Sequence, residues 1–133
     1  RVLARDCIVD GDNWAPFRFK SQPPRGGYIE DIVFERFTVS DVRNIFDVSL
    51  EWKSSHEKDR TPEYSDPVTR LSGIVFRDCH GSGKTMGHFN GFGIAPLAPD
   101  VFTFENCSFE AGEPLSLKNA ETDTVGLEIT ISK

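Results

Sequence analysis

The stretch FRFK, residues 17–20, places two basic side chains in strict alternation with two aromatic ones. Alternation with period two is typical of a half-buried strand, whose successive side chains point to opposite faces. We therefore expect Phe17 and Phe19 to be buried and Arg18 and Lys20 to share the exposed face, within about 7 Å of each other. Two cations in this arrangement could hold a carboxylate, because Arg binds it through two parallel hydrogen bonds and Lys acts as a point charge.

The acidity of the whole chain makes this pair of cations unusual. The 133 residues carry a formal net charge of −6 at pH 7. An acidic protein that binds an anionic polymer needs positive charge concentrated where the ligand lies. The same charge balance, without a long basic run, argues against nucleic acid as a partner. No apolar segment approaches the roughly 18 residues of a membrane span, so no membrane partner is expected either.

Several segments share one pattern, in which an apolar–x–apolar start is followed by two polar residues and then by Cys or Phe. They are VLARDCIV (2–9), IVFERFTV (32–39), IVFRDCHG (74–81) and VFTFENCSF (101–109), with a weaker copy, VGLEITI, at 125–131. A second strand-like piece follows the stronger copies, at 17–21, 45–52, 92–95 and 115–119. We interpret GSGKT, residues 81–85, as a turn, because Asp78 stands where a phosphate-binding loop needs a glycine.

This repeat predicts the fold class. A period of roughly 23 to 30 residues, built only from short strands and turns, is typical of a solenoid of parallel strands. We expect an all-β chain, a right-handed parallel β-helix of about four to five coils, as a single domain over residues 1–133 with a polar loop insertion at 53–70. Neither end has the polar cap that a solenoid needs, which predicts a segment of a longer β-helix. A β-sandwich is the alternative, since its strands also recur about every 8 to 12 residues.

The cysteines support the β-helix over the sandwich. Cys7, Cys79 and Cys107 occupy the same position of the repeat, where stacked inward side chains would act as small apolar fillers. Cys79 and Cys107 belong to neighbouring coils, about 5 Å apart, which would permit a disulfide; buried thiols are the favoured prediction. The histidines are not spaced with the cysteines in any zinc pattern, so no metal site is expected.

Three stretches resemble a known family: FRFKSQPPRGGYIEDIVFERFTVSDV (17–42), IFDVSLEW (45–52) and FGIAPLAPDVFTFENCSFEAGEPLSLKNAETDTVGLEITI (92–131). They are similar to the C-terminal portion of glycoside hydrolase family 28, the polygalacturonase-like pectinases, which fold as right-handed parallel β-helices. The first stretch resembles the family's Arg–apolar–Lys motif and its Gly-rich turn. The second resembles the next strand, which in the family commonly ends in a Tyr at the substrate cleft; Trp52 stands there in this chain.

The resemblance implies a function and a set of binding residues. It implies hydrolysis of galacturonate-containing pectic polysaccharide or oligogalacturonide by a secreted or periplasmic enzyme that needs no cofactor and acts as a monomer. Arg18 and Lys20 would bind the sugar carboxylate, and Trp52 would flank the cleft and stack on a sugar face. Two structural alternatives stay open: an ion pair between Arg18 and Asp47, and a Trp52 side chain that caps the core.

The catalytic residues of the family are not assigned to this chain. In the family they lie in an Asn–Thr–Asp motif, an adjacent Asp pair and a His-Gly motif that all precede the Arg–Lys motif. The stretch VLARDCIVDGDNW, residues 2–14, matches none of these. Inverting hydrolysis needs a carboxylic acid and a carboxylate base roughly 6.5 to 9.5 Å apart. We therefore expect this segment alone to be inactive.

Two other classes of protein remain as alternatives. One is a non-catalytic β-helical module that binds carbohydrate or serves a structural role, such as an adhesin or tailspike segment. The other is a polysaccharide lyase on the same fold, which would need calcium-binding carboxylates that these residues do not assemble. Aspartate motifs upstream of Arg1 in the coding sequence would favour the hydrolase over both.

Overall fold

The fold is built from β-strands alone within the part of the chain that the structure describes. The computed structural model describes residues 1–22, 25–51, 68–93 and 95–132. No helix in these ranges is long and apolar enough to cross a membrane. The strands are β1 (Val2–Asp10), β2 (Phe17–Lys20), β3 (Tyr28–Ser49), β4 (Arg70–Arg77), β5 (His80–Asn90), β6 (Phe102–Glu105), β7 (Cys107–Ala111), β8 (Ser116–Lys118) and β9 (Leu127–Ile131).

Every pairing between these strands is parallel, and the strands stack in layers. The first layer consists of β1 and β2, which pair with β3, the second layer. Strand β3 pairs in turn with β4 and β5, which form the third layer. The fourth layer follows, with β6 on β4 and both β7 and β8 on β5; β9 then pairs with β7. The predicted all-β class with parallel strands is confirmed, in a solenoid-like arrangement.

The register of the layers follows the repeat in the sequence. Ala4, Phe34, Phe76 and Phe104 are successive partners across β1, β3, β4 and β6. The rings of Phe34 and Phe76 stack with centroids 5.3 Å apart and planes 9° from parallel. Phe76 and Phe104 stack in the same way at 5.3 Å and 14°. The repeated aromatic position therefore forms a continuous column in the core, which fixes the register because a slip by one residue would expose it.

A left-handed residue turns the chain at one position of each layer. Asp6, Arg36, Asp78 and Asn106 have φ angles of 56°, 53°, 54° and 51°, and Gly126 continues the series at 84°. This conformation costs roughly 1–2 kcal/mol for a residue with a Cβ, although Asp and Asn tolerate it better than most. Contacts between these left-handed residues of neighbouring layers offset part of that cost. Arg36 Nε lies 2.5 Å from Asp6 Oδ1, and Asn106 Nδ2 donates to Asp78 Oδ1 at 2.8 Å.

The cysteines are free thiols. Cys79 and Cys107 are buried, as predicted, and Cys107 Sγ lies 3.3 Å from the carbonyl oxygen of Phe76. A hydrogen bond shared with Cys107, together with burial, raises the pKa of Cys79 above that of an ordinary thiol. Cys7 is only partly buried, on the outermost layer beside β3. These side chains act as apolar filling of the core.

Two expectations about the third layer are wrong. The stretch GSGKT, expected to be a turn, lies inside β5, and Phe92 and Ala95, the ends of the strand piece expected at 92–95, pair with each other in an isolated antiparallel bridge. The sequence pattern does not predict β5 as a strand, because its glycines interrupt the alternation of apolar and polar residues. They are needed there for close packing of the layers. A Cβ on Gly87 would lie 1.7 Å from the carbonyl oxygen of Phe46, and one on Gly81 would lie 1.8 Å from that of Val39.

Candidate functional site

Strand β2 presents its two cations to solvent. Phe17 and Phe19 are buried, whereas Arg18 and Lys20 are exposed. The ring of Phe17 packs against Phe46 of the next layer, with centroids 5.5 Å apart. Burial of a Phe side chain is worth roughly 1.5–3 kcal/mol, so the two rings fix which way the strand faces. The alternation in the sequence therefore decides where Arg18 and Lys20 lie.

Three further strand segments extend this outer face along the stack. The end of β3 pairs with β2, the end of β5 pairs with β3, and the short strand β8 pairs with β5. Each step between layers is about 4.8 Å. We call this surface the Arg18 face. It consists of two rows, the first being Arg18, Asp47, His88 and Ser116, and the second Lys20, Ser49, Asn90 and Lys118.

Asp47 holds the first row together. Its carboxylate accepts from Trp14 Nε1 at 2.6 Å and lies 2.8 Å from Arg18 Nε, both through Oδ2. Its Oδ1 lies 2.8 Å from His88 Nε2. Only 8% of the Asp47 side chain is exposed. A carboxylate this deeply buried is tolerated because charged and neutral donors replace the water that it has lost.

Asp47 and Trp14 together fix the orientation of Arg18. The guanidinium carbon lies 5.9 Å from the centre of the Trp14 ring, and the Nε atom is bound to Asp47. The Arg18 side chain nevertheless remains 38% exposed. The ion pair that sequence reasoning weighed as an alternative is therefore present, and it orients an arginine that still reaches solvent.

A polar groove of about 350 Å³ lies beside His88 on the later layers of the face. Thr85 Oγ1 donates to Asn44 Oδ1 at 2.9 Å, and Asn44 Nδ2 donates to the carbonyl oxygen of Trp14 at 3.2 Å. These bonds hold amide and hydroxyl groups in fixed positions along one wall. Such groups can donate to and accept from the hydroxyls of a ligand. The polar lining consists of Asn44, Thr85, His88, Asn90, Glu113 and Ser116.

The arrangement is suited to binding rather than to proton transfer. Asp47 is the one carboxylate in the two rows of the face, and its oxygens already accept from the Trp14, Arg18 and His88 nitrogens. Glu113 is the one acidic residue that lines the groove, whereas inverting hydrolysis needs two carboxyl groups that can transfer protons. A general base must be able to reach the proton that it removes. The described residues hold no group of three His, Cys, Asp or Glu side chains that could bind a metal ion.

The sequence alone predicts only part of this site. Arg18 and Lys20 lie on the outer face, as their alternation indicates, whereas Trp52 lies outside the described residues. His88 was missed because its strand was assigned to residues 92–95, beyond the true end of β5 at Asn90. Trp14 was missed because it precedes β2 in a stretch without periodicity. Its indole N–H, a donor that a buried carboxylate can use, was the available signal.

Comparisons with known proteins add no further assignment. A scan against protein-family models, a search of curated proteins and a search of solved structures each found no match. The Arg18 face and its groove are therefore the features from which a function is inferred.

Proposed function

We propose that this chain is a right-handed parallel β-helix segment of a polygalacturonase-like glycoside hydrolase. In this proposal the Arg18 face binds galacturonate-containing pectic polysaccharide. The parallel stacked layers and the outward Arg–Phe–Lys strand support it. The parent enzyme would work outside the cytoplasm, secreted or periplasmic, because a polymer of this size is degraded there.

The observation that carries the proposal is the fixed orientation of Arg18. Asp47 and the Trp14 ring hold the guanidinium before any ligand arrives. Less side-chain entropy is therefore lost on binding, which is the general advantage of preorganisation. A planar guanidinium can then pair with a uronate through parallel hydrogen bonds.

The charge pattern of the face also favours an anionic ligand. On a chain of net charge −6, the two rows carry the cations Arg18, Lys20 and Lys118. Asp47 pairs with Arg18 at 2.8 Å, and Glu51 lies 3.8 Å from Lys118 Nζ. Local positive charge of this kind raises the concentration of an anionic ligand at the surface. The uncharged side chains of Ser49 and Asn90 lie between the lysines and would bond to sugar hydroxyls.

In this proposal the face binds substrate and does not supply the acid or the base. This assignment is supported by Asp47, whose carboxylate oxygens already accept from Trp14 and His88. The two carboxyl groups of an inverting hydrolase would then come from a part of the parent enzyme that precedes Arg1. A full-length protein that binds the polymer without releasing reducing ends would instead be a non-catalytic carbohydrate-binding module.

The test is to measure binding of oligogalacturonate by isothermal titration calorimetry. Arg18→Ala and Lys20→Ala should each weaken binding at least tenfold, about 1.4 kcal/mol. Arg77→Ala is the matched control, since Arg77 also pairs through its Nε atom with a carboxylate and is similarly exposed, at 40% against 38% for Arg18. Equal effects of Arg18→Ala and Arg77→Ala, or no binding by the unmodified chain, would overturn the proposal.

A further inference from the structure

Two of the three thiols face each other across the third and fourth layers of the stack. Cys79 and Cys107 directly precede His80 and Ser108, which are partners in β5 and β7. The backbone N–H of Ser108 donates to the carbonyl oxygen of Cys79 at 3.1 Å. Facing residues of neighbouring strands have Cα atoms about 4.8 Å apart, and a disulfide needs a separation of roughly 4.4 to 6.8 Å. The backbone therefore already has the spacing of a disulfide.

The two side chains also occupy equivalent positions. Both are buried, and each Sγ atom lies close to a carbonyl oxygen of the preceding layer. Cys79 Sγ is 3.5 Å from the Phe34 oxygen, and Cys107 Sγ is 3.3 Å from the Phe76 oxygen. The two thiols share a hydrogen bond as well. Side-chain rotation alone can therefore bring the sulfur atoms to bonding distance.

The third thiol cannot join this pair. Cys7 has the same position of the repeat in the first layer, but its partner in the second layer is Phe37. The ring lies between Cys7 and the third layer, so Cys7 and Cys79 are two layer steps apart, about 10 Å. That distance exceeds the reach of a disulfide. The stack therefore contains one pair of thiols that can be cross-linked and one that serves as an internal reference.

Cys107 is the more reactive thiol of the pair. Its hydrogen bond with Cys79 lowers the pKa of Cys107, whereas the same bond and burial raise the pKa of Cys79. The thiolate is the nucleophile in thiol–disulfide exchange. Only 3% of Cys107 is exposed, but it lines a groove of about 370 Å³ together with Asn106, Ser108 and residues 126–128. A small oxidant can approach it from this side.

We propose that Cys79 and Cys107 are a redox-sensitive site, which a low-molecular-weight disulfide such as oxidised glutathione converts into a cross-link between two layers. The Cys107 thiolate attacks one sulfur of the oxidant, releases one glutathione thiolate and forms a mixed disulfide. Cys79 then loses its proton, attacks Cys107 Sγ and releases the second glutathione. The two thiols give up two protons and two electrons, and one oxidised glutathione becomes two reduced molecules.

The cross-link ties down the later layers of the stack. It closes the loop of residues 80–106, which contains β5 and β6 and therefore the His88 part of the Arg18 face. Closing a loop stabilises the fold mainly by restricting the unfolded chain. Oxidising surroundings close the bond and reducing surroundings keep the thiols, so the stability of these layers follows the redox state around the protein. This inference does not depend on the proposed function.

The experiment treats the folded chain with excess oxidised glutathione, alkylates the remaining thiols in denaturant and maps the peptides by mass spectrometry. We expect Cys79 and Cys107 in one linked peptide that has lost two hydrogens, with Cys7 outside the bond. The melting temperature, followed by circular dichroism, should be at least about 5 °C higher than in dithiothreitol. Cys7→Ser is the matched control and should keep both the bond and the shift, whereas Cys107→Ser should lose both.

The decisive result comes from the unmodified chain, so it does not require any variant to fold. Alkylated Cys79 and Cys107 after oxidation would overturn the inference, and so would glutathione retained on Cys107 without a bond to Cys79. A bond to Cys7 would contradict the spacing of the layers and overturn it too. A linked pair with an unchanged melting temperature would overturn the claim that redox state sets the stability of these layers.

Discussion

Arg18 and Arg77 make the same kind of ion pair on two faces of the molecule, but the surroundings of the two pairs differ. Arg77 Nε lies 2.5 Å from Glu105 Oε2, and Arg77 Nη1 lies 3.4 Å from Glu35 Oε1, in a column across β3, β4 and β6. Hydrogen bonding to Glu105 and its charge raise the pKa of Arg77. Both side chains of the Arg77–Glu105 pair are accessible to water, at 40% and 46% exposed.

The pair on the Arg18 face is asymmetric. Its carboxylate, on Asp47, is 8% exposed, whereas its guanidinium, on Arg18, is 38% exposed. The Arg77–Glu105 pair adds little free energy, as is usual for exposed pairs, and the more distant carboxylate of Glu35 is 16% exposed. Asp47 is itself buried, and together with the Trp14 ring it fixes a cation that reaches solvent. Stacking of the layers produces both pairs, and they differ in the carboxylate bound at the arginine Nε atom, which is buried in Asp47 and exposed in Glu105.

The largest expected effect comes from removing the buried carboxylate. Asp47→Asn leaves Arg18 and His88 without a charged partner and should lower the free energy of unfolding by about 2 kcal/mol. The partial exposure of Arg18 and His88, at 38% and 30%, keeps the loss below that of a fully buried pair. Glu105→Gln, the same change in the Arg77 column, should cost less than about 1 kcal/mol. Urea denaturation of the two variants measures the difference, and equal losses would contradict the distinction drawn from burial.

A smaller effect is expected from keeping the charge but changing its shape. Arg18→Lys removes the planar fork and the contact with Asp47 through Nε, so oligogalacturonate binding should weaken about fivefold, or about 1 kcal/mol. Arg77→Lys should leave that affinity unchanged. The measurement is calorimetric titration at constant ionic strength. If Arg18→Lys binds as tightly as the unmodified chain, then charge alone explains binding and the orientation by Asp47 is irrelevant.

Exposed ion pairs should respond to salt in a way that the buried carboxylate does not. The stability lost in Glu105→Gln should vanish at about 1 M NaCl, where the screening length falls to about 3 Å. The stability lost in Asp47→Asn should persist, because water and ions have little access to that carboxylate. Denaturation with urea at low and high salt tests this. A salt-sensitive Asp47 effect would show that its pair behaves as a surface pair.

The sequence allowed the fold to be predicted further than the site. Alternation in residues 17–20 predicts the outward cations, and the repeated Phe34 and Phe76 predict the register, because both depend on periodicity that burial imposes. The place of His88 could not be predicted, since β5 meets its neighbours through glycines. Gly87 is required because the carbonyl oxygen of Phe46 lies too close for a Cβ atom. This is a contact between layers, and it leaves no periodic pattern in the sequence.

The smallest expected effect is the response of stability to acid at the turn between β1 and β2. Asp12 accepts from Arg43 Nε and Nη2, each at 2.8 Å, and this pairing lowers the pKa of Asp12 to about 2. Because the folded pKa lies below the ordinary aspartate value of 3.8, the pair contributes stability above about pH 4 and loses it as the pH falls towards 2. The contribution is small, because the carboxylate is exposed to water.

Asp12→Asn should therefore flatten the stability profile between about pH 4 and 2 and leave the difference from the unmodified chain constant above that window. Thermal denaturation across this pH range measures the profile. Asp100→Asn, which makes the same charge change in the turn before β6, is the matched control. An equal flattening in both variants would show that net charge, rather than the pair with Arg43, sets the acid response. A flattening confined to Asp12→Asn would show that the pair with Arg43 sets the acid response. The Asp12–Arg43 pair would then resemble the exposed Arg77–Glu105 pair more than the pair of Arg18 with buried Asp47.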